Sequence, residues 1–567
     1  MHDLLFPLQH GPVASGIKVA TQAQSAIFSM CERYWHGNFE DKEQLVTQLI
    51  PLLLMKSLND NAQKNDVKRL YSIREAIDLL DFQDESIESL KLHLLRVVGN
   101  PLFLQSVEGR KFITHLFQVD TALVIDLHRA VRAQINGAKK SILNAYADIY
   151  YNAWKASTEI ITDDEEEEEG EIGAIQQSIE ENALQDFMYQ VIHAAVPSTA
   201  KSVRVVLDKF YVNKKNPDVE SMLHRMYGPL LWRALSGANS KVRIQASVVL
   251  SDTFPLRDPN ASVEWTTACV KKSVEALVSL MKDDIPSCRV AGCVATAKIL
   301  SLFWCAIPSQ DIRLLLDQII GKHISDASSS AVRAAAVNAV TTLLEEEKSH
   351  AVLRPLLSNV GNLIHDKTEK VRLAVVNMLL FVKRLRGIKY YHVVPADHLL
   401  SRLADEGLGN NNPTGAVAVG LSNLLSNSFF PTGSKKTMSD IITRTLRLLT
   451  DSPQAAVVFY RNAPTQLSVN SISKLISALM KCLCCFIIEE KKANFEDISN
   501  LTAVVPEYES IERPNHSSNT AQMATIAESI SILWGSVSQF KSGFLVKIVC
   551  CQSFVFSNTH PILILLD

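Results

Sequence analysis

The chain has 567 residues, 47% of them hydrophobic but only 7% aromatic, a length beyond one compact core and a composition suited to packed helices, not to disorder. Its formal charge is −3, yet the seven consecutive acids Asp163 to Glu169 outweigh that figure, and the rest of the chain sums to +4. Neither value reaches the basicity that alone implies nucleic acid, and ten cysteines without two C-x-x-C pairs argue against a disulfide framework and for reduced thiols in the cytosol or nucleus.

Met1-His2-Asp3 lacks the basic start and apolar run of a secretory signal, so export is not expected. Residues 1–160 read as degenerate helical repeats: Leu45 to Leu58, Val67 to Leu80, Ile87 to Val98, and about Lys139 to Trp154. The last follows the Asn136-Gly137 turn and has Ile142, Tyr146, Ile149, Tyr150 and Ala153 on one face. The acidic stretch, 161–173, then interrupts. Two readings stand for it, a solvated loop between helices or an autoinhibitory strip competing for a basic groove. A helix follows with Ile175, Ile179, Ala183, Phe187 and Val191 at steps of four.

Residues 174–490 hold the clearest signal. Four stretches, Ser240-Lys241-Val242-Arg243, Ser287-Cys288-Arg289, Ala331-Val332-Arg333 and Lys370-Val371-Arg372, each open a small and apolar helical run, with their arginines 46, 44 and 39 residues apart. Three residues after each arginine stand Ala246, Gly292, Ala336 and Val375; six after it stand Val249, Ala295, Ala339 and Met378. Asn239, Asp284, Asp326 and Asp366 precede the runs as candidate helix caps. Ahead of the caps lies a second apolar helix, for example Leu353, Leu356, Leu357, Val360, Leu363 and Ile364. Two helices per unit at a period of about 40–47 residues define an all-α HEAT-repeat α-solenoid, a superhelical stack of antiparallel helix pairs whose function lies on surfaces. The period continues faintly at Ala416 and Ala456, where the arginine is missing, and Ser471 to Ile488 is one more apolar helix.

Residues 491–540 read as a polar loop, Pro506 to Ser518, and a terminal helix through Ile526, Ile530 and Trp534. The tail 541–567 is apolar without clean period, against the polar outer face expected of a capping repeat. No stretch is expected to offer ~20 mostly apolar residues, because the longest uncharged span, Gly407 to Ser434, is broken by asparagines and Pro413. A membrane partner is therefore not expected.

Chemistry is sparse. Cys482, Cys484 and Cys485 share a helix without the second cysteine pair that structural zinc needs, so buried thiols are expected and no metal. Gly407-Leu408-Gly409 lacks a third glycine and no G-K-[ST] follows, and there is no G-x-S-x-G, H-E-x-x-H or Cys/His dyad, so neither a cofactor nor an enzyme is expected. Arg243, Arg289, Arg333 and Arg372 are read as structural, pairing with capping acids of the adjacent unit, with ligand contact as the alternative. Lys383, Arg384, Arg386 and Lys389 flank Tyr390-Tyr391-His392, and Lys209, Lys214 and Lys215 surround Tyr211. Cations beside aromatics can clamp a phosphate backbone through counterion release, and the alternative is ordinary solvated charge.

Met226-Tyr227-Gly228-Pro229-Leu230-Leu231-Trp232-Arg233, Asn239-Ser240-Lys241-Val242-Arg243 and Phe254-Pro255-Leu256-Arg257-Asp258-Pro259-Asn260, in that order, resemble the G-type HEAT-repeat subunit of condensin II, a likeness covering about residues 65 to 490. The resemblance implies a nuclear, non-catalytic subunit that binds a kleisin. Through the complex it joins the SMC ATPase heterodimer and a second HEAT subunit, and it contributes binding to double-stranded DNA in mitotic chromosome condensation. It extends to methylated histone tails as a partner class, although no motif places such a site. The acidic insertion and the tail depart from the pattern. The alternatives from other classes are an importin-like transport adaptor, disfavoured because the acids gather in one loop, and a phosphatase regulatory scaffold.

Overall fold

The computed structural model describes residues 21–37, 42–82, 84–163, 173–408, 412–431, 437–493 and 519–538, with Leu5, Phe39 and Val505 besides. The acid run beyond Asp163, the Pro506 to Ser518 loop and the 541–567 tail lie outside them. All regular structure among the described residues is helical. The chain divides into two compact units, Met1–Ile299 and Leu300–Asp567.

The first unit runs through α1 (Thr21–His36), α2 (Val46–Leu58), α3 (Lys64–Ser72), α4 (Glu88–Gly99), α5 (Val107–Leu116), α6 (Thr121–Ile135) and α7 (Lys140–Asp163). The segment from Val67 to Leu80 is not one helix: after α3 the chain tightens into a 3-10 turn at Arg74–Leu79. Conversely, α7 runs nine residues past Trp154, where the apolar face stops but nothing breaks the helix. The steps of four after the acid run have a physical reason. α8 (Ala174–Ser178) and α9 (Gln185–His193) are joined by a π-wound segment, Ile179–Leu184. Its wider turn draws the average period toward four, so Ile179, Ala183, Phe187 and Val191 all stay buried. α10 (Pro197–Val212), α11 (Pro217–Leu235), α12 (Ser240–Thr253) and α13 (Val263–Met281) come next, α10 packing on α7 and α12 on both α9 and α11.

After α14 (Pro286–Phe303), the second unit contains α15 (Ser309–Leu316), α16 (Ser330–Leu343), α17 (Glu369–Val382), α18 (Tyr390–Val393), α19 (Ala396–Glu406), α20 (Ala416–Phe429), α21 (Met438–Asp451), α22 (Pro453–Asn462), α23 (Val469–Ala493) and α24 (Asn519–Ser538). α16, α17, α20 and α22 pack in succession as one layer, while α19 and α21 pack beside them as the first helices of their pairs. The apolar stretch from Leu353 to Ile364 is broken into short α and 3-10 turns around Pro355, which has no N–H to continue a helix, yet Leu353, Leu357, Val360 and Ile364 still reach the core. One expectation needs correcting: Pro286–Ala306 and Val469–Ile488 are each long and apolar enough to cross a membrane. Their apolarity is used in packing, Ile299 and Leu300 in the one and Leu475, Leu479 and Cys482 in the other being fully buried. Each such side chain contributes about 1.5–3 kcal/mol.

The repeat arginines hold the loops. Arg243 donates through Nε and Nη2 to Asp283 at 2.7 and 2.9 Å, and Arg333 likewise to Asp366 at 2.7 and 3.0 Å. Arg372 donates to Glu406 at 2.9 Å. Each also turns Nη1 back onto carbonyls of the loop before its own helix: Gly237 and Ala238 for Arg243, Asp283 and Asp284 for Arg289, Asp326 for Arg333, Asp366 and Lys367 for Arg372. Asp283 and Asp366 also cap the next helix, accepting from Ile285 N–H at 2.9 Å and Thr368 N–H at 2.8 Å. Burial would raise the Asp366 carboxyl, but Arg333 and that N–H outweigh it and hold its pKa below the ordinary value. One side chain thus ties two loops 33 to 40 residues apart.

Candidate nucleic-acid interface

The two basic clusters singled out by sequence have different fates. In the first, Lys214 lies against the end of α12, where the last carbonyls have no intrahelical partner, and its Nζ donates to Asp252 O at 2.5 Å and Phe254 O at 2.6 Å. Burial, reinforced by the nearby Lys298 charge, lowers its pKa to about 8. Lys209 pairs with Asp148 and lies over the Tyr151 ring at 6.0 Å. Only Lys215 of the three stays exposed and without a partner among the described residues. Tyr211 is buried, sharing a 2.5 Å hydrogen bond with Tyr227.

The second cluster is built by the end of α17. Lys383 closes the helix and donates to Asn423 O at 2.9 Å and Leu424 O at 3.0 Å, with burial lowering its pKa. The chain then turns at Gly387, whose φ of +90° suits glycine. Ile388 is buried as an anchor, and the Tyr390 hydroxyl shares a 2.8 Å hydrogen bond with Ser428 Oγ. Held between these fixed points, Arg384, Arg386 and Lys389 are exposed, and none has a side-chain partner among the described residues. Tyr391 is exposed beside them, its ring 4.8 Å from that of His392.

The fold adds a cation that sequence reasoning missed. Exposed Arg354, more than thirty residues upstream, reaches the Gly387 turn, where a Cβ would stand 3.5 Å from its Nη2. A periodic pattern cannot announce such a neighbour, because it comes from the preceding first helix. Glu345, Glu347 and His350 line a depression with Arg384 and Arg386, so the charge there is mixed, and Arg354 and Lys389 supply the positive excess. Arg384, Arg386, Lys389 and Arg354 together can meet phosphates as point and fork donors without reading bases.

Sequence reasoning also missed the polar nodes in the core. Asp252, nearly buried, is held by Arg204 and Lys298. Glu180, equally buried, accepts from Trp154 Nε1 at 2.8 Å and Gln176 Nε2 at 3.0 Å and pairs with Arg225. His128 bridges Tyr150 at 2.9 Å and Asp186 at 3.0 Å. Arg257, in the Phe-Pro-x-Arg-Asp-Pro-Asn stretch, donates to Glu220 at 2.7 Å. These groups are used in holding helices together. Among the described residues no group of three His, Cys, Asp or Glu could hold a metal ion.

Helix pairs welded by arginine and acid make this a HEAT-repeat α-solenoid. Along most of its length the chain is similar to Condensin-2 complex subunit G2: it is 31% identical to the Xenopus laevis protein over 84% of this chain and 40% of that one, and 31% identical to the Homo sapiens protein over 91% and 43%. It spans about two fifths of the length of these relatives. Residues 96–258 match the family described as condensin II non structural maintenance of chromosomes subunit. Among solved structures, a chain from a complex of Kap95p with RanGDP matches at TM-score 0.34 and 11% identity, over 98% of this chain and 69% of that one, a likeness too distant to bear on function.

Proposed function

We propose that this chain is a non-catalytic subunit of a condensin II-type complex, nuclear and bound to chromosomes in mitosis, which grips a kleisin and adds sequence-independent contact to duplex DNA. The similarity to Condensin-2 complex subunit G2 across most of the chain supports the assembly, with the SMC ATPase pair and the second HEAT subunit reached through the kleisin. The observation that carries the DNA contact is the exposed turn presenting Arg384, Arg386 and Lys389, joined by Arg354, with no internal acid holding them. Lys215 is a weaker additional contact. Lys214 and Lys383 are spent on backbone carbonyls inside the fold, and Lys209, although partly exposed, is paired with Asp148, so these three are set aside as phosphate contacts. A histone-tail site has no support in the side chains described, and an importin-like or phosphatase role has none either.

Co-expression with the kleisin and SMC subunits of condensin II tests the assembly. A stoichiometric complex is expected on size exclusion, and a chain that elutes alone from all of them would overturn the reading.

A further inference from the structure

Three second helices of the second unit carry an asparagine at one register. Asn338 follows Arg333 by five residues and Asn377 follows Arg372 by five. Asn423 takes the same place when Val371-Arg372-Leu373-Ala374-Val375-Val376-Asn377-Met378-Leu379-Leu380 is laid over Val417-Ala418-Val419-Gly420-Leu421-Ser422-Asn423-Leu424-Leu425-Ser426. All three are exposed, while the residues on either side, Val337 and Ala339, Val376 and Met378, Ser422 and Leu424, are buried. None of the three carboxamides has a hydrogen-bond partner among the described residues. In the first unit the same register holds Val248 and Val294.

The helices that bear them are direct neighbours. α17 packs between α16 and α20, and α17 meets α20 so closely that a Cβ on Gly420 would come within 2.5 Å of Val376 Cγ1. Val376 precedes Asn377 by one residue and Gly420 precedes Asn423 by three, so the tight approach lies at the level of the asparagines. Helices packed side by side set such side chains about 8–10 Å apart, and an extended chain covers about 10 Å in three residues. A carboxamide offers one acceptor and a donor pair, the complement of a peptide group. Asparagine is a poor helix former, so three of them exposed at one register weaken their helices without any internal bond in return.

We propose that Asn338, Asn377 and Asn423 bind the main chain of an extended polypeptide crossing α16, α17 and α20, one peptide group per helix. Its composition is set by what flanks the row. Arg384 stands in the turn just past the end of α17, seven residues on from Asn377 with half-buried Leu380 and Phe381 between them, so the segment carries an acidic residue near the end of α17 beside an apolar one. The inference does not rest on the DNA reading, although peptide and DNA share Arg384 and would compete for it.

The probe is a phage-displayed library of random twelve-residue peptides selected on the whole chain, the enriched sequences then being measured by fluorescence anisotropy. Enrichment of acidic and apolar peptides is expected, each Asn→Ala change weakening them about fivefold and the three together about a hundredfold. N-methylation of the peptide amides should cost a similar factor in wild type and little more in the triple variant. Alanine favours these helices, so the variant's thermal melt should be retained, and its DNA affinity should be unchanged. No enrichment, or peptides that lose affinity with Arg384→Glu but ignore the asparagines, would overturn the proposal.

Discussion

The lysines around Tyr211 and the cations after α17 look alike as sequence, each a knot of positive charge beside tyrosine. One is drawn into the fold and the other is left on the surface. What separates them is the supply of unsatisfied acceptors. The end of α12 offers the Asp252 and Phe254 carbonyls to Lys214, and Asp148 stands ready for Lys209. Beyond α17, Lys383 alone is taken up, by the Asn423 and Leu424 carbonyls within α20, and the turn at Gly387 carries the remaining cations past them. A basic cluster is a candidate surface only after the backbone and carboxylate acceptors near it have taken their share.

The sharpest break of this contrast is at Asp252. Asp252→Ala strands Arg204 and Lys298 and is expected to cost about 2–3 kcal/mol in chemical denaturation, less than a fully enclosed pair would, because these two cations keep 40% and 38% of their side chains exposed. Next, Arg384→Glu with Arg386→Glu and Lys389→Glu should leave stability near wild type while reducing the salt slope of duplex binding by about three, close to one unit for each phosphate no longer neutralised. Lys214→Met should do the reverse, costing about 1–2 kcal/mol with DNA affinity intact. Its folded pKa of about 8 lies below the ordinary 10.5, so between these values the unfolded state holds the extra proton and stability rises with pH. The stability difference between wild type and Lys214→Met should therefore widen from pH 8 to 10.5 in parallel denaturation series. Smallest of all, Lys215→Glu should change the slope by about one and Lys209→Glu by nothing measurable.

The repeat was legible because it depends on residues that recur: an arginine at a helix start, small residues three and six later, an acid in the loop. Those local patterns fix the pairing of Arg333 with Asp366 without any knowledge of distant neighbours. Helix ends were read less well. Pro355 divides a helix that its leucines suggested, and α7 continues where its apolar face ends. Arg354 at the Gly387 turn, and the network on Asp252, join residues from helices far apart in sequence, which no single period encodes. The asparagine register was in plain sight as Val-Asn-Ala-Val and Val-Asn-Met-Leu, but one exposed polar residue per helix says little until the helices are known to be adjacent.

The most direct measurement is the salt dependence of duplex DNA binding by two charge-reversed triple variants, one at Lys209, Lys214 and Lys215 and one at Arg384, Arg386 and Lys389. A slope reduced by about three in the second, and by no more than about one in the first once its folding is verified, is the predicted result. Equal slopes in the two variants, or a larger reduction in the first, would contradict the placement of the DNA contact on the turn after α17.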